Sequence, residues 1–310
     1  MPDLPDIDTL SFAATCPKCH YVYPPIWEAA PAYFSQGFVE CSECKAKSDL
    51  WQTALERMKG MPTFVPPWIL MQLGATETSF TRTITANSYQ AISLDTVGVP
   101  TDATVLHISY SPQGRAGEAP VFPVHWHGNS PQRKFGNVLP LLGQPAKMGD
   151  GTVGKECPVH IRVLWVHQDK EDGWAYIVDA LDALALQDNA RVIVPAQSAV
   201  EVTLMPVIRE LLERNSSKDY VKGFMGDKLT FGNVINVLLP FMCAQADIPT
   251  MTEDIRGAMT KLRKLRNDLV HEGKRRTSIT TGEAIEALAA AVFAFEYVKF
   301  ARPQLLARLK

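Results

Sequence analysis

Two pairs of cysteines carry the clearest chemistry. Cys16-Pro-Lys-Cys19 is followed, after 21 residues, by Cys41-Ser-Glu-Cys44. Each Cys-x-x-Cys turn aims two thiolates at one point, and two such turns make the four-sulfur tetrahedron that Zn²⁺ prefers. A closed set of four thiolates leaves no coordination position for a substrate. Cys16, Cys19, Cys41 and Cys44 are therefore expected to hold a structural zinc ion. A redox dithiol is the competing use of the motif, but no βαβ pattern surrounds either pair. His20 adjoins the first turn and is read as an exposed neighbour. Cys157 and Cys243 sit in apolar surroundings and are read as plain buried thiols.

A second constellation lies in Leu262-Arg-Lys-Leu-Arg-Asn-Asp-Leu-Val-His271. At about 100° per residue, Leu262, Leu265 and Leu269 make one narrow helical stripe. Arg266, Asn267 and His271 share an adjoining arc of about 140°. An Arg, an amide and an imidazole therefore line one groove at the helix flank. The plainer reading pairs Arg266 with Glu253 or Asp268 and makes His271 a helix C-terminal cap. The surroundings are basic: Arg256, Lys261, Arg263, Lys264, Arg266, Lys274, Arg275 and Arg276 outnumber Glu253, Asp254, Asp268 and Glu272.

Arg266-Asn267-x-x-x-His271, late in a helical region, resembles the signature of the HEPN superfamily (higher eukaryotes and prokaryotes nucleotide-binding). The resemblance covers roughly residues 172–310. It implies a four-helix bundle and, in many members, a metal-independent endoribonuclease with Arg266, Asn267 and His271 at its centre. The residue types suit that expectation: RNA brings its own nucleophile, the 2′-OH, His271 would serve as proton acceptor or donor near neutral pH, and Arg266 would face the charged phosphorane. Asn267 would orient the imidazole or the scissile phosphate, no catalytic metal is expected, and the products would be a 2′,3′-cyclic phosphate and a 5′-OH. It implies a homodimer that brings two motifs into one cleft. It also implies a toxin or antiviral role, with a protein or phage-derived trigger as a further partner. The cysteine pattern in turn resembles a zinc ribbon. A non-catalytic binding or adaptor module, with zinc and helices serving assembly, is the alternative from another functional class.

Composition narrows the field. Apolar residues make up 46% and charged residues 21% of 310, which suits a globular chain. Net charge is −2, so any nucleic-acid contact must come from a local patch. No continuous apolar run reaches membrane-spanning length, and Asp3, Asp6 and Asp8 argue against a signal peptide. A cytoplasmic protein without membrane partners is expected.

The elements that must position these residues divide into three parts: a zinc ribbon at 1–60, a β-rich, sandwich-like domain at 61–170, and an antiparallel helical bundle at 171–310. The fold class is thus multi-domain α+β. Gly60–Trp68, rich in proline, reads as a linker. Strands are expected at Phe80–Thr85, Thr104–Tyr110, Val121–Trp126 and His160–His167, with a long loop from Gly128 to Pro158. His125 and His127 flank Trp126 on one strand face and could supply half of a metal site, but strand histidines are the default. Trp126 and Trp165 would suit a sugar or small ligand if exposed, and core packing if not.

Helices are expected from Trp174, from about Arg191 to Arg214 with Pro195 in the first turn, and over Phe231–Ala244. In the second of these, Val194, Ser198, Val202, Met205 and Leu212 mark the expected inner face. Thr250-Met-Thr-Glu253 and Thr280-Thr-Gly-Glu283 are capping-box candidates for two more helices, ending near Gly273 and Arg308.

Overall fold

The residues between the two cysteine pairs are apolar at helical spacing, and they fold as a helix whose inner face is Ile26, Ala29, Ala30, Tyr33 and Phe34. The computed structural model describes residues 14–24, 26–59, 70–71, 73–112, 121–124, 137–145, 156–167, 173–271 and 279–309. It is a mixed α+β protein of two units, Met1–Gly74 with Asp169–Lys310, and Ala75–Gln168.

The helices of the first unit are, in chain order, α1 (Ile26–Gln36), α2 (Leu50–Lys59), α3 (Trp174–Ala185), α4 (Asn189–Glu213), α5 (Lys218–Gly223), α6 (Phe231–Gln245), α7 (Glu253–His271) and α8 (Thr281–Arg308). Thr280 caps α8 through the expected capping box with Glu283. From Ala287 to Val298 every residue of α8 is buried, so this helix has no solvent face for three turns. It packs against α1, α2, α3, α4 and α7.

The N-terminal segment is part of this core. Phe34 meets Tyr297 at 5.1 Å between ring centroids, and Trp51 meets Phe293 at 5.2 Å, both edge-on. Where the sequence suggested a part of its own for residues 1–60, α1 and α2 are built onto the last helix of the bundle. Ion pairs and a hydrogen bond join the same elements. Lys59 and Lys261 hold the two oxygens of Glu286 at 2.5 and 3.0 Å, and Gln52 Nε2 donates to Asp254 Oδ2 at 2.7 Å.

Three helical expectations are corrected. Helix α4 starts at Asn189, with Asp188 accepting from the Arg191 N–H, so Pro195 lies in the helix interior and not in its first turn. Its inner face is Val192, Ile193, Ala196, Val200, Leu204 and Val207. Val194 is exposed, and Ser198, Val202, Met205 and Leu212 are only half-buried. Helix α7 starts at Glu253, after Thr252, whose carbonyl accepts the Arg256 N–H at 3.1 Å; Thr250 lies outside the helix. In α6, Val234–Leu238 is wound as a π-helix, a local widening that apolar periodicity does not announce.

Two-residue strands β1 (Val39–Glu40) and β2 (Lys47–Ser48) pair beside the second cysteine turn. The second unit contains β3 (Thr76–Thr85), β4 (Tyr89–Ser93), β5 (Thr104–Pro112), β6 (Val121–Val124), β7 (Val138–Pro145) and β8 (Glu156–Val166). They form two antiparallel sheets, ordered β3-β8-β5 and β4-β7-β6, over one core that includes Ile84, Ile92, Leu139, Leu141, Ile161 and Val163.

Strand β7 falls inside the stretch expected to be a long loop. Its Gly143 is there for closeness: a Cβ at that position would stand 2.1 Å from the Thr85 carbonyl oxygen. Gly143 instead donates to the Ser88 carbonyl at 2.9 Å and accepts from Asn87 at 2.8 Å, which locks β7 to the β3–β4 turn.

Candidate functional site

The four cysteine sulfurs come together, all within 4.8 Å of one another. Cys16 and Cys44 are 3.5 Å apart, as are Cys19 and Cys41. The two turns that deliver them are copies. The Cys16 N–H donates to the Tyr21 carbonyl at 2.8 Å, and that of Cys41 to Ala46 at 2.9 Å. The His20 N–H returns to Cys16 at 2.9 Å, and that of Lys45 to Cys41 at 3.0 Å. His20 and Lys45 both adopt a left-handed backbone, with φ of 61° and 60°. The flanking residues pair in the same register, Thr15 with Val22 and Glu40 with Lys47. This repeat of local geometry follows each second cysteine, and its trace in the sequence is only the shared spacing.

Electrostatics explain why such a cluster calls for a cation. At Cys16 desolvation opposes ionisation, but the backbone of Cys19 and Lys18 together with the Cys44 and Tyr23 side chains draw the thiol down to about 6. At Cys19 the Tyr21 backbone favours the thiolate, yet desolvation and the other three thiols push it up to about 12. Cys16 and Cys19 are thus pulled in opposite directions, a conflict that a divalent ion bound among the sulfurs would relieve. Ser48 and Asp49, just beyond the second turn, accept hydrogen bonds from Tyr23 at 2.9 Å and Tyr33 at 3.0 Å. The cluster is thereby tied to α1. Exposed His20 is not one of the four clustered ligands.

The second candidate site lies on α7. Leu262 and Leu265 are buried as expected, and Leu269 is half-buried. Arg266 and Asn267 are half-buried side by side, with Arg266 Nη1 donating to Asn267 Oδ1 at 3.3 Å. The pair is thus joined to itself and not to Glu253 or Asp268. His271 is the last residue of the helix, and its side chain lies outside the described residues. Of the expected basic patch, Arg256 pairs with Glu253 at 3.8 Å and Lys261 with Glu286. Arg263, Lys264 and Arg266 have no acidic partner among the described residues. Lys274, Arg275 and Arg276 lie outside the described residues.

Comparison with family models, with curated proteins and with solved structures finds no match to this chain.

A cleft of about 170 Å³ opens between α7 and α8, walled by Leu262, Leu265 and Ala287 with Lys264, Glu283 and Glu286 at its polar side. Neither Arg266 nor Asn267 is among its described lining residues.

In the second unit, Trp165 is core: it is 6% exposed and its Nε1 donates to Thr78 Oγ1 at 2.9 Å. It offers no platform for a sugar. His167 stacks edge-on against Trp165 at 4.9 Å and stands 4.0 Å from Asp102. His125, Trp126 and His127 lie outside the described residues, as does the linker from 60 to 68. Cys157 and Cys243 are buried, and Cys243 Sγ lies 3.0 Å from the Tyr297 hydroxyl.

One helix, α4, is long and apolar enough by composition to cross a membrane, and half of its apolar window is buried within the protein. The Glu286 clamp joins residues 227 positions apart, and no local pattern signals it.

Proposed function

We propose that this chain is a metal-independent endoribonuclease of the HEPN type, working as a homodimer. The observation that carries the reading is the Arg266–Asn267 pair: a half-buried guanidinium oriented by a neighbouring amide on a helix flank, with no ion-paired carboxylate among the described residues. His271 follows one turn later on the same helix. In this reading RNA lies along the flank. The 2′-OH attacks the adjacent phosphorus and the P–O5′ bond breaks; His271 serves the proton transfers, from the 2′-OH and to the departing 5′-oxygen, which leaves as a 5′-OH. The Arg266 guanidinium faces the charge that grows on the phosphorane oxygens, and Asn267 holds the guanidinium in place. Exposed Val237 and Phe241, one turn apart on α6, and exposed Val270 on α7 supply apolar surface for a second copy.

The four thiolates hold Zn²⁺ as a structural ion, in the manner of a zinc ribbon. The β unit is the place for a protein or phage-derived trigger in a cytoplasmic toxin or antiviral effector; this last step is analogy of architecture. A second reading, a non-catalytic adaptor stabilised by zinc, draws on the α7–α8 cleft, whose described lining includes neither Arg266 nor Asn267.

The deciding assay offers mixed single-stranded and structured RNA to the wild type and to His271→Ala in Mg²⁺-free buffer with EDTA. Zinc content and light scattering are checked on both. Cleavage by the wild type alone, leaving cyclic-phosphate ends, is the expected result. RNA binding by both proteins without cleavage by either transfers the chain to the adaptor class.

A further inference from the structure

We propose that Arg263 forms a second phosphate site, binding an RNA phosphodiester beside the one held by Arg266. The inference rests on the RNA reading and names how the strand is gripped. Arg263 lies three residues before Arg266 and four before Asn267, so it stands about one helical turn away on the same flank of α7. That step carries a second cation to the neighbouring stretch of a strand already held at Arg266.

The local packing fixes the group. The guanidinium of Arg263 lies flat against Gly232 in α6. A Cβ built at Gly232 would stand 2.8 Å from Nη1, 2.9 Å from Cζ and 3.3 Å from Nε. Three atoms of the planar group are therefore within close reach, and a side chain at 232 would push the group away. Met259, Thr260, Phe231, Ile235 and Asn236 complete the wall around it. Asn236 Nδ2 in turn donates to Thr260 Oγ1 at 3.4 Å, which links the two sides.

The charge is left over. Arg263 is half-buried, yet it has no acidic partner among the described residues. The facing helix cannot provide one, because residues 231–245 contain no Asp or Glu. An arginine held flat, partly desolvated and without a carboxylate partner among the described residues is prepared for an external anion with several oxygens, and its fork matches a phosphate. Its role is to hold the strand, not to act on the reacting atoms. Arg263 is thus a binding residue, expected to affect RNA affinity and KM more than kcat.

The test measures binding of a fluorescent, fully 2′-O-methylated RNA oligonucleotide, which the protein cannot cleave, as a function of KCl. The proteins are full-length wild type, Arg263→Ala, Arg263→Lys, Gly232→Ala and Arg266→Ala, each with its melting temperature checked. Arg263→Ala is expected to weaken binding by about tenfold and to lower the slope of log K against log salt by about 0.7. Arg263→Lys keeps the slope and recovers part of the affinity. Gly232→Ala weakens binding in the wild-type background and does nothing further once Arg263 is Ala.

If Arg266→Ala weakens binding while Arg263→Ala changes neither affinity nor slope, the Arg263 site is wrong and the RNA reading stands. A loss of affinity with an unchanged slope assigns Arg263 to structure and also overturns the site. If the wild type shows no salt-dependent RNA binding, the RNA reading itself fails and takes this inference with it.

Discussion

At the thiolate cluster each Cys-x-x-Cys turn repeats the hydrogen bonds of the other, and all four sulfurs point at one another. On α7 the arrangement is reversed: Arg263, Lys264 and Arg266 stand close together without an ion-pair partner among the described residues. The first site directs its groups inward, so its chemistry goes into stability. The second leaves charge unspent, so its chemistry is available to something outside the chain. Between them lies the Lys59–Glu286–Lys261 clamp, which touches both the cysteine segment and the motif helix. Mutations at the three places should differ in what they cost, and melting experiments can rank them.

Cys41→Ser should have the largest effect. It removes one of four ligands, and structural metal binding is folding free energy. The expected outcome is loss of stoichiometric zinc by metal analysis and a fall of about 10 °C or more in the melting of the helical unit. Unchanged melting despite lost zinc would break the contrast. Next comes Trp51→Ala, which empties a nearly fully buried site against Phe293. Calorimetry or denaturant titration should read about 3–5 kcal/mol of destabilisation, with zinc retained.

Glu286→Gln should cost less, about 1 kcal/mol or below at neutral pH, because Lys59 and Lys261 are largely solvated. Its signature is the pH dependence. Burial opposes ionisation of Glu286, but the two ammonium groups prevail and hold its carboxyl below the ordinary 4.5. A lowered folded value means stability that is fully present above the unfolded value and lost as pH falls through the folded one. Melting of the wild type should therefore drop as pH falls below about 4.5, and Glu286→Gln should flatten part of that drop. Arg266→Ala should do least, changing stability by no more than about 0.5 kcal/mol while removing activity on RNA.

What could be read from sequence follows the range of the interactions. The clustering of the four cysteines and the Thr280 capping box are local patterns that form as read, and of the stripe Leu262, Leu265 and Leu269 the first two are buried and the third half-buried. Strand β7 was hidden because Pro140 and Gly143 look like loop residues. Only the approach of the Thr85 carbonyl explains the glycine. The inner face of α4 was misjudged because Val194 and Val202 are apolar yet turned away from the core. Ala196, Gln197 and Ala199 are among the buried positions, and their small or polar side chains weaken the periodic signal. The docking of α1 and α2 onto α8 depends on residues far apart in the chain, which no periodicity encodes. At the motif, spacing placed Arg266 and Asn267 together, but it could not show that Gly232 would hold Arg263 beside them.

The distance between α2 and its partner also sets a timetable. Cys16 and Cys44 are 28 residues apart, whereas Lys59 and Glu286 are separated by 227. At about 5–20 residues per second, a ribosome completes the thiolate set roughly 1–6 s after Cys16, but supplies Glu286 roughly 11–45 s after Lys59. Through that interval Tyr33, Phe34 and Trp51 have no α8 to cover them. A nascent chain of this protein therefore carries a finished four-cysteine cluster beside an uncovered aromatic face, a surface of the kind that chaperones shield.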